Sequence, residues 1–191
     1  FTHLMRLAGE AQHYYLDDTT HRIITQSAIT KTSRDGKLRQ RTGVYASGLI
    51  ATVKQHTIVL FQTNIGHAGE FIDDILSRRP SHLPPPILMS DALAHNQPAT
   101  VKVQTSLCNS HGRRQFYDVH SHFPDQVEWV IEQYDKIWGH DRHASENAMT
   151  AQERLAYHQS HSLPIMQGIA NWGQSLLDNA SVEENSGLGR A

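Results

Sequence analysis

The stretch Ile87-Leu88-Met89-Ser90-Asp91 predicts a short strand that ends at an acidic residue. An apolar run without polar alternation is typical of a strand buried on both faces, as in a parallel sheet. A proline triplet at 84–86 precedes the run and forces an extended connection into it. The stretch therefore predicts a sheet with a parallel part, and it places Asp91 at the carboxyl end of a strand.

Further strand and helix signals surround this stretch in a consistent order. Apolar and β-branched residues predict strands at 13–24, 44–53 and 57–61, and another at 101–104. Residues 68–79 have helical spacing, and helices follow from residue 111, with a polar break at 141–150 and an interruption at Pro164. The order predicts an α/β fold: a ribonuclease H-like mixed sheet, with three antiparallel strands and then parallel strands, and a helical C-terminal part.

Composition and charge exclude several classes of protein. The 191 residues are 38% hydrophobic and 19% charged, and the formal net charge is −2 at pH 7. This globular composition lacks an overall positive field, which counts against a stand-alone DNA-binding module. The one cysteine, Cys108, excludes an internal disulfide and fits a reducing, cytoplasmic compartment. No apolar stretch has the length of a membrane span.

Fourteen histidines raise the alternative of a metal-binding protein with no nucleic-acid role. They are scattered along the sequence, and they form neither an HExxH pattern nor a paired Cys/His ligand set. We expect most of them to be ordinary surface or half-buried residues. Histidines that lie far apart in the structure would remove this alternative.

Two acidic sites lie in strands at positions where an active site can form. Asp17 or Asp18 lies in the opening strand, and Asp91 ends the buried strand. In a sheet of this order the two strands are neighbours, so their carboxylates would converge at one edge. Converging carboxylates repel each other unless cations neutralise them, and hard oxygen ligands select Mg²⁺ or Mn²⁺. A pair of such ions can promote phosphoryl transfer.

Each aspartate also has a purely structural interpretation. An aspartate in the polar run Asp17-Asp18-Thr19-Thr20 can form a turn or a helix cap. Asp91 can cap a helix that begins after it. The residue types alone leave both interpretations open.

Five segments, in order along nearly the whole chain, resemble a known family. They are Tyr15-Leu16-Asp17-Asp18-Thr19, His67-Ala68-Gly69-Glu70, Ile87-Leu88-Met89-Ser90-Asp91-Ala92-Leu93-Ala94-His95-Asn96, Cys108-Asn109-Ser110-His111-Gly112-Arg113-Arg114-Gln115-Phe116 and Asn185-Ser186-Gly187-Leu188-Gly189-Arg190-Ala191. These segments are similar to the insertion-sequence-66 family of transposases.

The resemblance implies a metal-dependent DDE transposase whose ribonuclease H-like domain cuts transposon ends and joins them to target DNA. By position, Asp17 and Asp91 match the first two catalytic aspartates, which bind Mg²⁺ or Mn²⁺. Asp18 is expected to be a neighbour rather than a ligand, because adjacent strand residues point to opposite faces. The third carboxylate, a glutamate, is expected beyond residue 191, so this chain alone is expected to be inactive or nearly so.

Basic residues supply the candidate DNA contacts. Arg113 and Arg114 are expected near DNA phosphates with His111 close to the active site; alternatively, the arginines form the solvated first turn of a helix, with Cys108 and Phe116 in the core. The loop at 31–41 carries five positive charges against one aspartate and can contact the DNA backbone. Its candidate residues are Lys37, Arg39 and Arg41.

The expected division is a partial catalytic core at 1–122 and a helical insertion at 123–191. The expected partners are transposon-end and target DNA and, for the full-length protein, further copies of the chain, with no membrane association. The expected location is the cytoplasm, at the nucleoid. The alternative is a non-catalytic remnant that binds DNA or pairs with an intact transposase.

Overall fold

A five-stranded mixed sheet organises residues 1–108, the first of the two units into which the chain divides; the second is 109–191. The structure, a computed structural model, describes residues 1–21, 23, 25, 27–32 and 36–191. Its strands are β1 (His13–His21), β2 (Ile29–Thr32), β3 (Leu38–Arg41), β4 (Val44–Val53), β5 (His56–Asn64), β6 (Ile87–Ser90) and β7 (Gln104–Leu107).

The strand order of the large sheet is β5-β4-β1-β6-β7. Strands β5, β4 and β1 are antiparallel, whereas β1, β6 and β7 are parallel. The predicted α/β class and the change from antiparallel to parallel strands are confirmed. The two strands that carry the candidate aspartates, β1 and β6, are direct neighbours.

One face of the sheet is covered by helices α1 (Thr2–Ala8) and α2 (Ala68–Leu76). Alternation along β1 decides which side chains enter this core: Tyr14 and Leu16 are buried, whereas Tyr15 and Asp17 are exposed. The apolar side of α2 supplies Ile72 and other buried residues. Complete burial of such a side chain contributes about 1.5–3 kcal/mol, so this core holds β1 and α2 together.

Two strand predictions near the parallel edge need correction. Strand β6 alternates between half-buried and buried residues and is not buried equally on both faces. Strand β7 begins at Gln104, not at Val101, because Val101 and Val103 pack against the core from the preceding loop. That loop is held by Asp73, whose carboxylate accepts hydrogen bonds from the backbone of residues 99 and 100.

The basic segment at 31–41 lies largely in a hairpin made of β2 and β3, a two-stranded antiparallel sheet with Lys31 opposite Arg39. Residues 33–35 lie outside the described residues. Gly36 has φ +77°, which favours glycine. Lys31 forms an ion pair with Glu70 at the start of α2.

The second unit is helical and contains α3 (Asn109–Tyr117), α4 (Pro124–Glu146), α5 (Ala151–Asp178) and the short α6 (Gly187–Arg190). Its core includes Val130 and Tyr134 of α4 and Ile169 of α5. Helix α3 therefore groups with the later helices, and the unit boundary falls after Cys108. The functional division at 122/123 stays a prediction.

Helices α4 and α5 are longer than their sequence pattern predicts. Helix α4 continues to Glu146 through the predicted polar break, since its polar residues there contact α5. Helix α5 continues through Pro164. A proline removes one backbone hydrogen bond, but Ser162 and Ile169 on either side of it are buried, and this packing holds the helix. No described helix is long and apolar enough to cross a membrane.

Candidate functional site

Asp17 and Asp91 lie at matching positions on neighbouring parallel strands. Tyr15 of β1 is the register partner of Met89 of β6, and each is followed two residues later by an aspartate. Asp17 is still within β1, and Asp91 directly follows the end of β6. Because side chains alternate along a strand, Asp17 is on the face of Tyr15, opposite the face covered by α2. The catalytic role of both carboxylates stays a prediction.

Asp17 lies beside a glycine of the neighbouring strand β4. Its partner on β4 is Gly48, whose own partner on β5 is Phe61. A Cβ at Gly48 would lie 3.1 Å from the Phe61 ring, so the ring occupies the space above the glycine. Phe61 is nevertheless 73% exposed. The sheet therefore presents an accessible aromatic ring one strand away from Asp17's partner.

The side chain of Asp91 is held by the turn that follows it. Its Oδ1 accepts hydrogen bonds from the Leu93 backbone N–H at 3.1 Å and from the Asn96 side-chain amide at 2.8 Å. Asn96 is 1% exposed and lies in a single 3-10 turn at Ala94–Asn96. No donor among the described residues reaches Oδ2 of Asp91. The structural interpretation of Asp91 as a turn-stabilising residue thus holds, and it leaves one carboxylate oxygen available.

The side chain of Asp18, unlike that of Asp17, faces the start of α2. Its side chain is 10% exposed, its Oδ2 accepts a hydrogen bond from the Ala68 backbone N–H at 3.3 Å, and it lies 3.7 Å from His67 Nδ1. A carboxylate at the positive N-terminal end of a helix is favourable. Asp18 therefore anchors α2 to β1.

The His67 ring adds a second link at this helix end. It lies between Tyr45 and His95, with ring centroids 4.2 and 4.7 Å away. His95 belongs to the 94–96 turn that holds Asp91. The start of α2 is thus connected to both strand ends that carry the candidate aspartates.

Arg113 and Arg114 line one cavity of about 570 Å³ in the second unit. Arg113 is half-buried, and its guanidinium carbon lies 5.8 Å from the Tyr117 ring centroid and 5.7 Å from that of Trp138. Arg114 is exposed. Arg113 is therefore not merely solvated, because its guanidinium lies near two aromatic rings.

The other sequence-predicted residues are placed as follows. His111 is half-buried in the first turn of α3, Phe116 packs on the second core as expected, and Cys108 is half-buried at the unit boundary. Lys37 and Arg39 are exposed on the β2–β3 hairpin. Arg41 pairs with Ile29 through its backbone, and its side chain lies outside the described atoms.

A family model described as Transposase IS66 family matches residues 1–191. The chain belongs to this family. No curated protein and no solved structure shows significant similarity to it. Membership supports a role of the chain in transposition, a DNA-processing activity, and implies DNA as the substrate.

Transposases of the DDE type generally depend on divalent metal ions. In the part of this transposase that the structure describes, no group of three or more His, Cys, Asp or Glu side chains is arranged to hold a metal ion. The donor chemistry of Asp17 and Asp91 nevertheless suits a hard cation, because carboxylate oxygens are the ligands that Mg²⁺ and Mn²⁺ prefer.

Sequence reasoning missed a cluster of four histidines in the transposase. His140 and His143 of α4 meet His158 and His161 of α5, with Tyr157 stacked on His161 at 4.2 Å. The histidines are thus not all scattered in space. Their signal was present as two pairs spaced three residues apart on consecutive helices, a spacing that places both members of a pair on one face.

Hydrogen bonds connect the histidine cluster across the two helices. The Ser162 hydroxyl lies 3.1 Å from His140 Nδ1 and 2.8 Å from His158 Nδ1, and His158 Nε2 lies 3.5 Å from Asp141 Oδ1. A hydroxyl donates one hydrogen bond, so one of the two imidazoles accepts it and the other donates to the oxygen. Burial, followed by the nearby His161, His158 and His143, lowers the pKa of His140.

Proposed function

We propose that this chain carries two carboxylates of a ribonuclease H-like, DDE-type catalytic centre that cuts transposon ends and joins them to target DNA. The observation that supports this most is the equal register offset of Asp17 and Asp91 on two adjacent parallel strands, in a chain of a transposase family. The strand order β5-β4-β1-β6-β7 fits the ribonuclease H-like sheet expected from the sequence. Open α/β sheets place their sites at the carboxyl ends of such strands.

Mg²⁺ or Mn²⁺ is the cofactor of this proposal, with Asp17 and the available Oδ2 of Asp91 as protein ligands. When bound, the ions supply charge stabilisation for phosphoryl transfer and help to form the attacking nucleophile. Two protein ligands alone would bind such an ion weakly, so water, DNA phosphate oxygens and a further carboxylate would be needed to complete its coordination.

The surrounding residues hold the two carboxylates in place. Asp17 lies on a strand that is paired on both sides, and Asp91 is oriented by Asn96 and the Leu93 backbone. Asp18 ties β1 to the start of α2 without facing the same side as Asp17. Because these carboxylates are already held in position, the protein groups need to move little when negative charge develops on the DNA.

DNA contacts are proposed for two basic regions. Arg113, Arg114 and His111 lie on α3, and Lys37, Arg39 and Arg41 lie in the β2–β3 hairpin. Phosphate contacts need positive charge more than a particular shape. With a net charge of −2, attraction to DNA would come from these local regions. The protein would act on DNA at the nucleoid, as a homo-oligomer.

Calorimetric titration of Mn²⁺ into the chain and into Asp17→Asn and Asp91→Asn variants tests the metal site. We expect each substitution to abolish binding that the parent shows, because each removes one of two ligands. Asp125→Asn, at an exposed position in the first turn of α4, is the matched control and should leave binding unchanged.

Equal Mn²⁺ binding in the parent and in both active-site variants would contradict the metal site. A second candidate function is that of a non-catalytic remnant that binds DNA or an intact transposase. It is favoured by the fact that the described residues bring together no group of three or more side chains able to hold a metal ion. DNA binding that persists without any dependence on Mn²⁺, Asp17 or Asp91 would favour that remnant.

A further inference from the structure

We propose that the cavity between α3 and α4 binds one unpaired DNA base, with a preference for bases that carry an exocyclic amino group. The proposal rests on the proposed function only in taking DNA as the ligand. The cavity's lining consists of two arginines, two aromatic residues, two carboxylates and a serine: Arg113, Arg114, Tyr117, Trp138, Asp118, Asp135 and Ser110.

The size and the aromatic walls of the cavity suit a planar ligand. Its volume of about 570 Å³ falls within the roughly 300–1,000 Å³ of small-ligand sites. Tyr117 is 60% exposed, so much of its ring is open to a stacking partner. Unpaired bases stack on aromatic side chains and on the plane of an arginine guanidinium, which here lies near both rings.

The carboxylates argue against a site for phosphate alone. Asp118 and Asp135 in the lining would repel a phosphate that entered the cavity. A carboxylate instead accepts a hydrogen bond from the amino group of cytosine, whereas thymine presents an acceptor oxygen at the same place. The phosphate of the same nucleotide would stay outside the cavity, away from the two carboxylates, where the two arginines can contact it.

Arg113 contributes a donor that the protein leaves unused. Its Nε is buried and has no hydrogen-bond partner among the residues that the structure describes. A buried donor without a partner is unfavourable, because it has lost its hydrogen bonds to water without replacing them. An acceptor atom of a bound base, reached by a small shift of the side chain, would satisfy it.

The close approach of the two helices sets the shape of the cavity. A Cβ at Gly112 would lie 2.9 Å from the Tyr134 hydroxyl oxygen, so a glycine at this position lets α3 approach α4. Arg113 and Arg114 follow directly on α3, while Asp135 follows Tyr134 on α4. The lining residues of both helices are therefore positioned by one tight contact.

The test compares the binding of three labelled short single strands of equal length to the whole chain at one fixed salt concentration. One is all cytosine, one is all thymine, and one has the same backbone without bases. We expect the cytosine strand to bind about 5- to 150-fold more tightly than the abasic strand, the range that corresponds to about 1–3 kcal/mol of stacking for one base. We expect the thymine strand to bind with intermediate affinity.

Substitutions in the lining assign any difference to this cavity. Tyr117→Leu and Trp138→Leu should each reduce the cytosine-to-abasic ratio, and Asp135→Asn should reduce the cytosine-to-thymine ratio. Arg114→Gln should weaken the binding of all three strands. Its matched control is Lys136→Gln, which removes an exposed charge of α4 outside the lining. Tyr117 is largely exposed, so its variant keeps the test valid if Trp138→Leu fails to fold.

Equal binding of the cytosine and abasic strands would overturn the base site and leave a phosphate contact only. Unchanged base-to-abasic ratios in the Tyr117→Leu variant would overturn it as well. A phosphorylated peptide that displaces the cytosine strand at the same concentration as unlabelled cytosine strand would assign the cavity to a protein partner. None of these results affects Mn²⁺ binding at Asp17 and Asp91, so the base site and the proposed catalytic function fail separately.

Discussion

The side-chain amide of Asn96 donates a hydrogen bond to Asp91 Oδ1 over 2.8 Å, from a position that is 1% exposed. A buried residue thus orients a candidate catalytic carboxylate that otherwise projects from a strand end. The Oδ1 atom of Asn96 itself has no hydrogen-bond partner among the described residues. Asn96 therefore contributes through its side-chain NH2 group and through the packing of its side chain, and not through its side-chain carbonyl oxygen.

We predict that Asn96→Ala lowers both stability and metal affinity. The free energy of unfolding should fall by about 1–3 kcal/mol, because a buried side chain and its hydrogen bond are lost. The Mn²⁺ affinity should fall as well, since Asp91 Oδ1 loses its fixed donor. Urea unfolding and calorimetry measure the two effects, and an unchanged Mn²⁺ affinity would remove the orienting role.

We predict that Gly69→Ala is strongly destabilising. A Cβ at this position in α2 would lie 2.5 Å from the backbone oxygen of Gln97 and would also clash with that of His95. Backbone atoms cannot yield as a flexible side chain does, so the turn at 94–96 must move away from α2, at a cost of about 1–3 kcal/mol or more.

The control for Gly69 is Gly139→Ala in α4, where a Cβ would meet no described atom within 4 Å apart from the neighbouring residues and backbone of its own helix. Since glycine is unfavourable inside a helix, this change should stabilise the protein by about 0.5–1 kcal/mol. Urea unfolding of both variants checks the pair. A Gly69→Ala variant as stable as the parent would show that the close approach of the turn and α2 is absent.

We predict that acid weakens the contact between α4 and α5 through His140. Its pKa is lowered from 6.5 in the folded state, mainly by burial and then by His161, His158 and His143. The unfolded chain therefore binds the proton more tightly. The stabilising effect of the neutral imidazole is complete above pH 6.5 and is lost as the pH falls from 6.5 through the lowered pKa.

Unfolding by urea at about pH 7.5 and about pH 5.5 measures this effect. The loss of stability on acidification should be smaller in His140→Gln than in the parent. His3→Gln, at an exposed position of α1, is the control and should behave like the parent. The charged groups beside the cluster, Asp141 of α4 and Arg154 of α5, form an ion pair across the two helices.

We predict that Tyr14 ionises late and that its hydroxyl stabilises the first unit. The hydroxyl donates a hydrogen bond of 2.6 Å to the Ala8 carbonyl oxygen, and burial raises its pKa from 10.0 to about 12. The stability from this raised pKa is present below pH 10 and is lost as the pH rises through about 12.

Tyr14→Phe should lower the free energy of unfolding at neutral pH by about 0.5–1.5 kcal/mol, through loss of the hydrogen bond. It should also remove one late-ionising tyrosine from the ultraviolet alkaline titration of the folded protein. Tyr15→Phe, at a position 48% exposed on the other face of β1, is the control. A titration that is identical in parent and Tyr14→Phe would contradict the buried environment.

Local patterns in the sequence predicted much of the first unit. The helical spacing of residues 68–79, with Phe71, Ile72, Ile75 and Leu76 on one face, predicted α2. The apolar run at 87–89 predicted a strand followed by Asp91. These features depend on interactions within a few residues, so the sequence shows them directly.

Elements whose ends depend on packing were predicted less well. Val101 and Val103 resemble strand residues, but they pack on the core from a loop and β7 starts after them. Pro164 normally ends a helix, yet contacts of α5 with α4 on both sides of the proline outweigh the lost hydrogen bond. In such cases the free energy gained by burying side chains in the core exceeds the local conformational preference of the segment, so burial decides where the element begins and ends.

The sequence by itself determined the transposase family, the α/β order and the two aspartates at strand positions, because motifs and periodicity are properties of short segments. Only the tertiary structure decided the Tyr15–Met89 register that offsets Asp17 and Asp91 equally, the Asn96 contact, the α3–α4 cavity and the histidine cluster. Each of these joins residues that are distant in the chain or lie on different elements. Their meeting depends on how sheets and helices pack their buried faces, which no short segment encodes.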